Sequence, residues 1–307
     1  MGAQADPDLG AVFKKRRLTL VITDSGLGGL AVMEDIAGKI RESGCFRNVS
    51  LVFVNALFDE NVGYNALRTR KEKADMFDRV LKAIDERYHP DAILVGCNTL
   101  SVILDDTFFS EWSDTPVIGI VDAGIQLIND ELKADTSSRV IIFGTETTIE
   151  EESHRKGLLE LGTDNERIIT KACPQLQSYI EQNPLSEETE MLIAAYMNEA
   201  LEGLDESDGR VHISLNCSHY GYSESLWSKA IEESSFRKGR ILNPNSHMGD
   251  FLSSEKCRRR YNNPKNSFLV VSKVRMPNAV TISSFFQENS PEMAEALKNY
   301  TLVPDLF

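Results

Sequence analysis

At 307 residues, with 41% hydrophobic and 26% charged content, the chain can bury a core unaided, as two domains or one large one. Its formal charge of −14 argues against a nucleic-acid partner, because neutralising phosphates needs a basic face and the only dense basic run is Lys14-Lys15-Arg16-Arg17. No apolar stretch is long enough for a bilayer, no secretory signal is visible, and five cysteines without framework spacing are expected to be reduced thiols of a cytoplasmic protein.

Residues 1–17 are expected to form a mobile leader, with the basic run solvated. A strand is predicted over 18–23, running into Asp24-Ser25-Gly26-Leu27-Gly28-Gly29 and then a helix over 30–41. Neither Rossmann nor P-loop spacing is met, so this turn is a place where backbone N–H groups can meet a small anion, not a nucleotide motif. A strand over 49–55 and the loop carrying Tyr64 and Asn65 lead into a helix ending near Arg87, whose Met76, Phe77, Val80, Leu81 and Ile84 have helical core spacing. Pro90 stops that helix. Next comes Ala92-Ile93-Leu94-Val95-Gly96-Cys97-Asn98-Thr99, an apolar strand ending in a cysteine and two small polar residues.

A strand over 116–121 and a helix over 124–132 close the first half. The second half reads as strand 139–143, helix 148–161, strand 166–170, a loop with Cys173, helix 187–203, strand 210–215 and helix 223–233. A helix near Ser246, strands at 268–272 and 280–284 and a helix over 291–300 finish the chain. Such alternation means parallel sheets with crossover helices, an α/β fold.

The strand over 210–215 leads into Cys217-Ser218-His219, and Cys217 follows Cys97 by 120 residues. The same offset carries Leu20–Gly26 onto Val140–Glu146, another strand and polar turn, which suggests a weak internal duplication. Ligands of parallel sheets sit beyond the carboxyl ends of the strands, where Asp24, Cys97, Gly144 and Cys217 all fall. The working hypothesis is a pseudo-symmetric pair of thiols facing a shared cleft.

A thiol directly ahead of a helix N-terminus is expected to have its thiolate favoured, starting from an ordinary pKa of roughly 8.5. Two such thiols could take a proton from one face of a carbon and return one to the other, which is racemase or epimerase chemistry. Asp24 would tune Cys97, and His219, helped by an acid, would tune Cys217. Read singly, the residues are blander. Cys45, Cys173 and Cys257 are inert core residues, Asp24 is an N-cap, Glu181 is a surface residue at a helix start, and Tyr64 is a loop aromatic. Cys217 and His219 lack a second pair at zinc spacing, so no metal is expected. A Cys–His hydrolase would leave Cys97 unexplained.

With these residues assembled, the chain resembles the cofactor-independent aspartate/glutamate racemase superfamily, and within it the glutamate racemases. Asp24-Ser25-Gly26-Leu27-Gly28-Gly29 matches the Asp-Ser-Gly-x-Gly-Gly opening, Cys97-Asn98-Thr99 the first cysteine motif, and Cys217-Ser218-His219-Tyr220 the second, Cys-Thr-His-Tyr. Gly144-Thr145 resembles the family's Gly-Thr turn, and Ala172-Cys173-Pro174 with Glu181 its Ala-Cys-Pro segment and downstream glutamate. The similarity covers about residues 18–302. Three departures stand out: Gly63-Tyr64-Asn65 replaces Pro-Tyr-Gly, Gly221 replaces a proline after the second motif, and the chain is longer at its N-terminus and near residues 255–266.

The resemblance implies two similar lobes with the active site between them, over 18–121 plus 240–307 and over 122–239. It implies interconversion of L- and D-glutamate without pyridoxal phosphate or metal, with aspartate or another small carboxylate as the alternative substrate and an amino-acid-binding regulatory module as the alternative class. Cys97 and Cys217 would be the acid/base pair, with Asp24 assisting Cys97, and Glu181 and His219 assisting Cys217. Ser25, Tyr64, Asn65, Asn98, Thr99, Thr145 and Ser218 would hold the substrate. The expected partners are an amino-acid substrate and a second copy in a homodimer, with no nucleic acid and no membrane.

Overall fold

The computed structural model describes residues 10–205, 209–253, 255 and 257–307. The chain divides into two units, Met1–Gly119 with Met248–Phe307, and Ile120–His247. The first unit contains β1 (Arg17–Asp24), β2 (Asn48–Asn55), β3 (Ala92–Val95) and β4 (Val117–Gly119). The second contains β5 (Arg139–Gly144), β6 (Ile168–Ala172), β7 (Arg210–Asn216) and β8 (Arg237–Leu242), and the chain returns to the first with β9 (Lys265–Ser272) and β10 (Thr301–Leu302).

The sheets run in the orders β10-β9-β2-β1-β3-β4 and β6-β5-β7-β8, and every pairing is parallel. Parallel strands covered on both faces need continuous apolar runs, and the centre of β1 supplies Leu20, Val21 and Ile22, all fully buried. Helices complete the layers. The helix Gly29–Ser43 turns Leu30, Met33, Ile36, Ala37 and Ile40 inward, and the helix Arg70–Tyr88 starts from a Thr69 capping box closed by Glu72.

The offset of 120 residues extends to strand register. Thr23 faces Val95 across β1 and β3, and Phe143 faces Leu215 across β5 and β7. The order β2-β1-β3-β4 is repeated as β6-β5-β7-β8, so each cysteine follows the strand beside its unit's leading strand.

Several expectations are corrected. Of the leader, residues 1–9 lie outside the described residues, but Gly10–Lys14 is a helix with Val12 buried and Phe13 stacked on Phe46 at 6.3 Å. The stretch expected as a strand over 280–284 is the helix Ala279–Ser283: Ile282 is buried, and the Ser283 and Ser284 hydroxyls donate back to the Val280 and Thr281 carbonyls. Packing against the helix Pro291–Lys298 overrides the strand preference of Val280, Thr281 and Ile282.

The expected helix over 148–161 is two helices, Glu146–Glu150 and Ser153–Glu160, separated where Glu152 adopts φ 56°. The helix expected near Ser246 is two single turns, Pro244–Ser246 and Asp250–Ser253. The strand over 237–242 was missed because Arg237, Lys238 and Arg240 hide the apolar signal of an edge strand. It pairs with β7 and moves the second unit's end to His247. Cys45 and Cys257 form a disulfide, leaving Cys97, Cys173 and Cys217 as the free thiols. A reduced, inert reading of that pair therefore fails: the two meet across 212 residues of sequence, a closeness no local pattern reveals. No helix among the described residues is long and apolar enough to cross a membrane.

Candidate active site

In the first unit the site is built on the carboxyl ends of β1 and β3. Asp24 ends β1 and is buried, and one of its carboxylate oxygens accepts the Gly26 N–H at 3.1 Å. Gly29 makes room for it: a Cβ there would stand 2.7 Å from Asp24 Cβ and 3.2 Å from the Phe53 ring. Cys97 follows β3 and precedes the one-turn helix Asn98–Ser101, and its Sγ lies 3.2 Å from Ser25 Oγ.

The expected lowering of the Cys97 pKa is not what this geometry produces. Burial, reinforced by the negative charge of Asp24, pushes the thiol well up, against the lowering hydrogen bonds of Ser25 and the Leu100 backbone. Desolvation outweighs a single turn of peptide dipoles. Cys97 is therefore a protonated thiol at neutral pH, the form that delivers a proton.

The remaining candidates of this unit divide by role. Asn98 is 2% exposed, yet neither of its amide atoms has a hydrogen-bond partner among the described residues. A buried amide of that kind calls for partners from outside the chain, water or a ligand. Thr99 is buried beside it. Tyr64 is a core residue, not merely a loop aromatic. It is fully packed, edge-on to Phe58 at 5.3 Å, with its hydroxyl donating to the Ala56 carbonyl, so it shapes the loop. Burial and the neighbouring Cys97 both push the Tyr64 phenol up. The Asn65 side-chain oxygen is buried without a partner among the described residues.

In the second unit Cys217 follows β7 and precedes the 3₁₀ turn Ser218–Ser223. His219 is buried between two groups, with Nδ1 3.9 Å from Cys217 Sγ and Nε2 2.8 Å from Glu181 Oε2. Burial opposes protonation, but the hydrogen bonds and charges of Cys217 and Glu181 prevail and hold the His219 pKa well above the ordinary imidazole value. Cys217 and Glu181 together thus favour the charged form of the imidazole between them. Glu181 is near the end, not the start, of the helix Leu176–Gln182, which enters from Gln175 at φ 63°. Ser223 Oγ donates to the Pro184 carbonyl at 2.7 Å and ties the segment after that helix to the His219 turn.

Thr145 caps the helix Glu146–Glu150, its Oγ1 accepting the Thr148 N–H at 3.4 Å, and by the 120-residue offset it is the counterpart of Ser25. Ser218, the counterpart of Asn98, is buried, and its carbonyl accepts Asn245 Nδ2 at 2.8 Å. No group of three or more metal-ligating side chains is found among the described residues.

A buried thiol with its own polar tuner at the end of the equivalent strand in each unit is the arrangement against which relatives can be compared. The model of the Asp/Glu/Hydantoin racemase family matches residues 29–221, and so spans both thiols. The chain belongs to that family. It is an isomerase. The glutamate racemase of Sulfurihydrogenibium sp. (strain YO3AOP1) is 29% identical over 204 residues, 65% of this chain and 70% of that protein. Glutamate racemase isoform RacE1 from Bacillus anthracis superposes with TM-score 0.68 at 19% identity, over 89% of this chain and 94% of that one. The Francisella tularensis glutamate racemase in complex with D-glutamate does so with TM-score 0.65 at 17% identity, over 94% and 95%.

A Cβ at Gly221 would lie 2.7 Å from Asn243 Nδ2, and Asn243 starts the turn that brings Asn245 onto the Ser218 carbonyl. The reading from sequence missed Asn216, which directly precedes Cys217 and is fully buried with both amide atoms unpartnered among the described residues. The signal was present: an asparagine adjoins each of the two strand-end cysteines, after Cys97 and before Cys217.

Proposed function

We propose that the protein is a glutamate racemase in which Cys97 and Cys217 act on opposite faces of the same α-carbon. The observation carrying this reading is the pairing of two buried thiols, at equivalent strand ends, with different tuners: Asp24 and Ser25 for one, His219 and Glu181 for the other. Glutamate is chosen because the relatives named above are glutamate racemases.

One thiolate removes the α-proton and becomes a thiol. The carbanion takes a proton from the other thiol, which becomes a thiolate, and the configuration inverts. His219 supplies the positive charge against which a thiolate forms at Cys217, and Glu181 holds the imidazole in its charged form. Cys97, held as a thiol, is the natural donor; the opposite direction starts from the thiolate this leaves at Cys97, and the charge of Asp24 beside it favours its taking up a proton again. Asn98, Asn65, Thr145 and Ser218 offer donors and acceptors for the substrate's carboxylates and ammonium. The chemistry assigned to these residues needs neither pyridoxal phosphate nor metal.

Incubation of L-glutamate, and separately L-aspartate, in deuterated water without added cofactor tests the reading. Exchange at the α-carbon with loss of optical rotation is expected for glutamate. The same result for aspartate alone would change the substrate, and no exchange with either would overturn the racemase reading in favour of a binding module. We further propose a homodimer, checked by light scattering, and a cytoplasmic location, where free thiols stay reduced. The Cys45–Cys257 disulfide is at odds with that compartment, and thiol titration of freshly isolated protein reports which state the pair holds.

A further inference from the structure

The acidic balance of the chain is reversed at one place. At the amino ends of β1, β2 and β9 an open cavity of ≈ 700 Å³ is lined by Arg16, Arg17, Arg47, Arg260 and Lys265 together with Tyr261, and no carboxylate among the described residues lines it. In a protein with a net charge of −14, five cations around one concavity concentrate positive potential where the rest of the surface opposes it. The ion pairs made nearby are Lys15 with Asp91 and Arg258 with Glu255, so the lining cations have no carboxylate partner among the described residues.

The cations come from three separated stretches, and the fold fastens these together. Arg47 N–H donates to the Arg16 carbonyl at 2.9 Å, Lys265 N–H to the Arg47 carbonyl at 3.0 Å, and Tyr261 N–H to the Gly44 carbonyl at 2.9 Å. The Cys45–Cys257 disulfide bridges two of the stretches. Arg260 is steadied by a 2.9 Å bond from its guanidinium to the Phe13 carbonyl. Mutually repelling side chains are thus held around one space by backbone and covalent links.

A multiply charged anion relieves that repulsion. Four of the five cations are arginines, whose planar forks pair with phosphate oxygens two at a time. The cavity falls within the range of about 300–1,000 Å³ typical of small-molecule sites, and the overall negative charge disfavours an extended nucleic acid. Arg17 begins β1 and Asp24 ends it, so the cavity and Cys97's tuner lie at opposite ends of one strand, about 23 Å apart at the usual rise per residue.

We propose that this cavity binds a small anion carrying several phosphate groups, at a site separate from the residues assigned to racemisation. The test is calorimetric titration of the full chain with inorganic tripolyphosphate, at about 50 and 200 mM salt because the contacts are ionic. ATP and a short single-stranded RNA serve as further probes. Saturable one-to-one binding of tripolyphosphate is expected, weakened at least about tenfold by the Arg17→Gln/Arg260→Gln pair through loss of two charge-assisted contacts. Lys82→Gln, on the exposed face of the helix Arg70–Tyr88, should leave it unchanged. The single Arg47→Gln variant should reproduce the loss in part if the pair folds poorly, and racemase turnover without the anion should be the same in every variant. Tighter binding of ATP, reduced by Tyr261→Leu, would assign the anion to a nucleotide; equal binding would assign it to a phosphate chain alone. Absence of saturable binding, binding indifferent to the arginine variants, or RNA bound more tightly than tripolyphosphate would overturn the proposal.

Discussion

Glu181 Oε2 and His219 Nε2 stand 2.8 Å apart, 38 residues apart in sequence, and the contact joins the end of one helix to the turn carrying Cys217. With Cys217 on the other side, it favours the charged form of a buried imidazole. Removing the carboxylate charge in Glu181→Gln removes part of what raises the His219 pKa while burial continues to lower it. The His219 pKa should fall by NMR titration, and kcat should drop by about 100-fold, within the range of a positioned acid/base group. An unchanged imidazole titration would show that Glu181 does not tune His219.

Either thiol should be indispensable. Cys97→Ser and Cys217→Ser are each expected to lower racemisation by about 10³-fold or more, measured by loss of rotation, because a serine hydroxyl is a far weaker acid than a thiol at the same position. A Cys–His hydrolase would instead tolerate Cys97→Ser and leave an adduct on Cys217.

Gly29 should resist any side chain. With a new Cβ only 2.7 Å from Asp24 Cβ and the Phe53 ring alongside, Gly29→Ala forces Asp24 or the helix to shift. A stability loss of about 1–3 kcal/mol in urea is expected, together with reduced turnover as Asp24 leaves its place near Cys97.

Stability should fall in mild acid because of His154. It is fully buried on the helix Ser153–Glu160, and burial lowers its pKa to about 4 from 6.5. Between those values the unfolded chain binds a proton that the folded chain refuses. The group's full contribution is therefore present above pH 6.5 and is lost as pH falls towards about 4, for a change of about 3 kcal/mol. Urea titrations across that range should show a steeper decline for the native chain than for His154→Leu.

The Cys45–Cys257 disulfide closes a loop spanning most of the chain, with a sequence separation of 212. Cys257→Ser is expected to cost about 2–5 kcal/mol of stability. Denaturation of the native protein with and without reductant should show the same gap, and equal midpoints would show that the bond contributes nothing.

Much of this molecule was legible in the linear chain because it is written in short-range patterns. Alternating apolar runs and helical spacings define parallel α/β units. The strand-end cysteines are local motifs, and the 120-residue offset between Cys97 and Cys217 is matched by the identical register of Thr23 with Val95 and Phe143 with Leu215. Where tertiary packing outweighed local preference, the pattern misled: Val280, Thr281 and Ile282 lie in a helix that buries Ile282 and packs against the helix Pro291–Lys298, and the charged edge strand β8 is stabilised by pairing with β7.

The chemistry of the site belongs to folding alone. Cys97 sits before a helix in sequence, which predicts an acidic thiol, but only burial beside Asp24 makes it a protonated one. Glu181 looks like a surface residue until the Leu176–Gln182 helix sets it against His219, and Cys45 finds Cys257 only once β2 and β9 lie side by side. Proton affinity depends on which groups exclude water and which charges face each other, and those neighbours are distant in the chain and adjacent only in the fold.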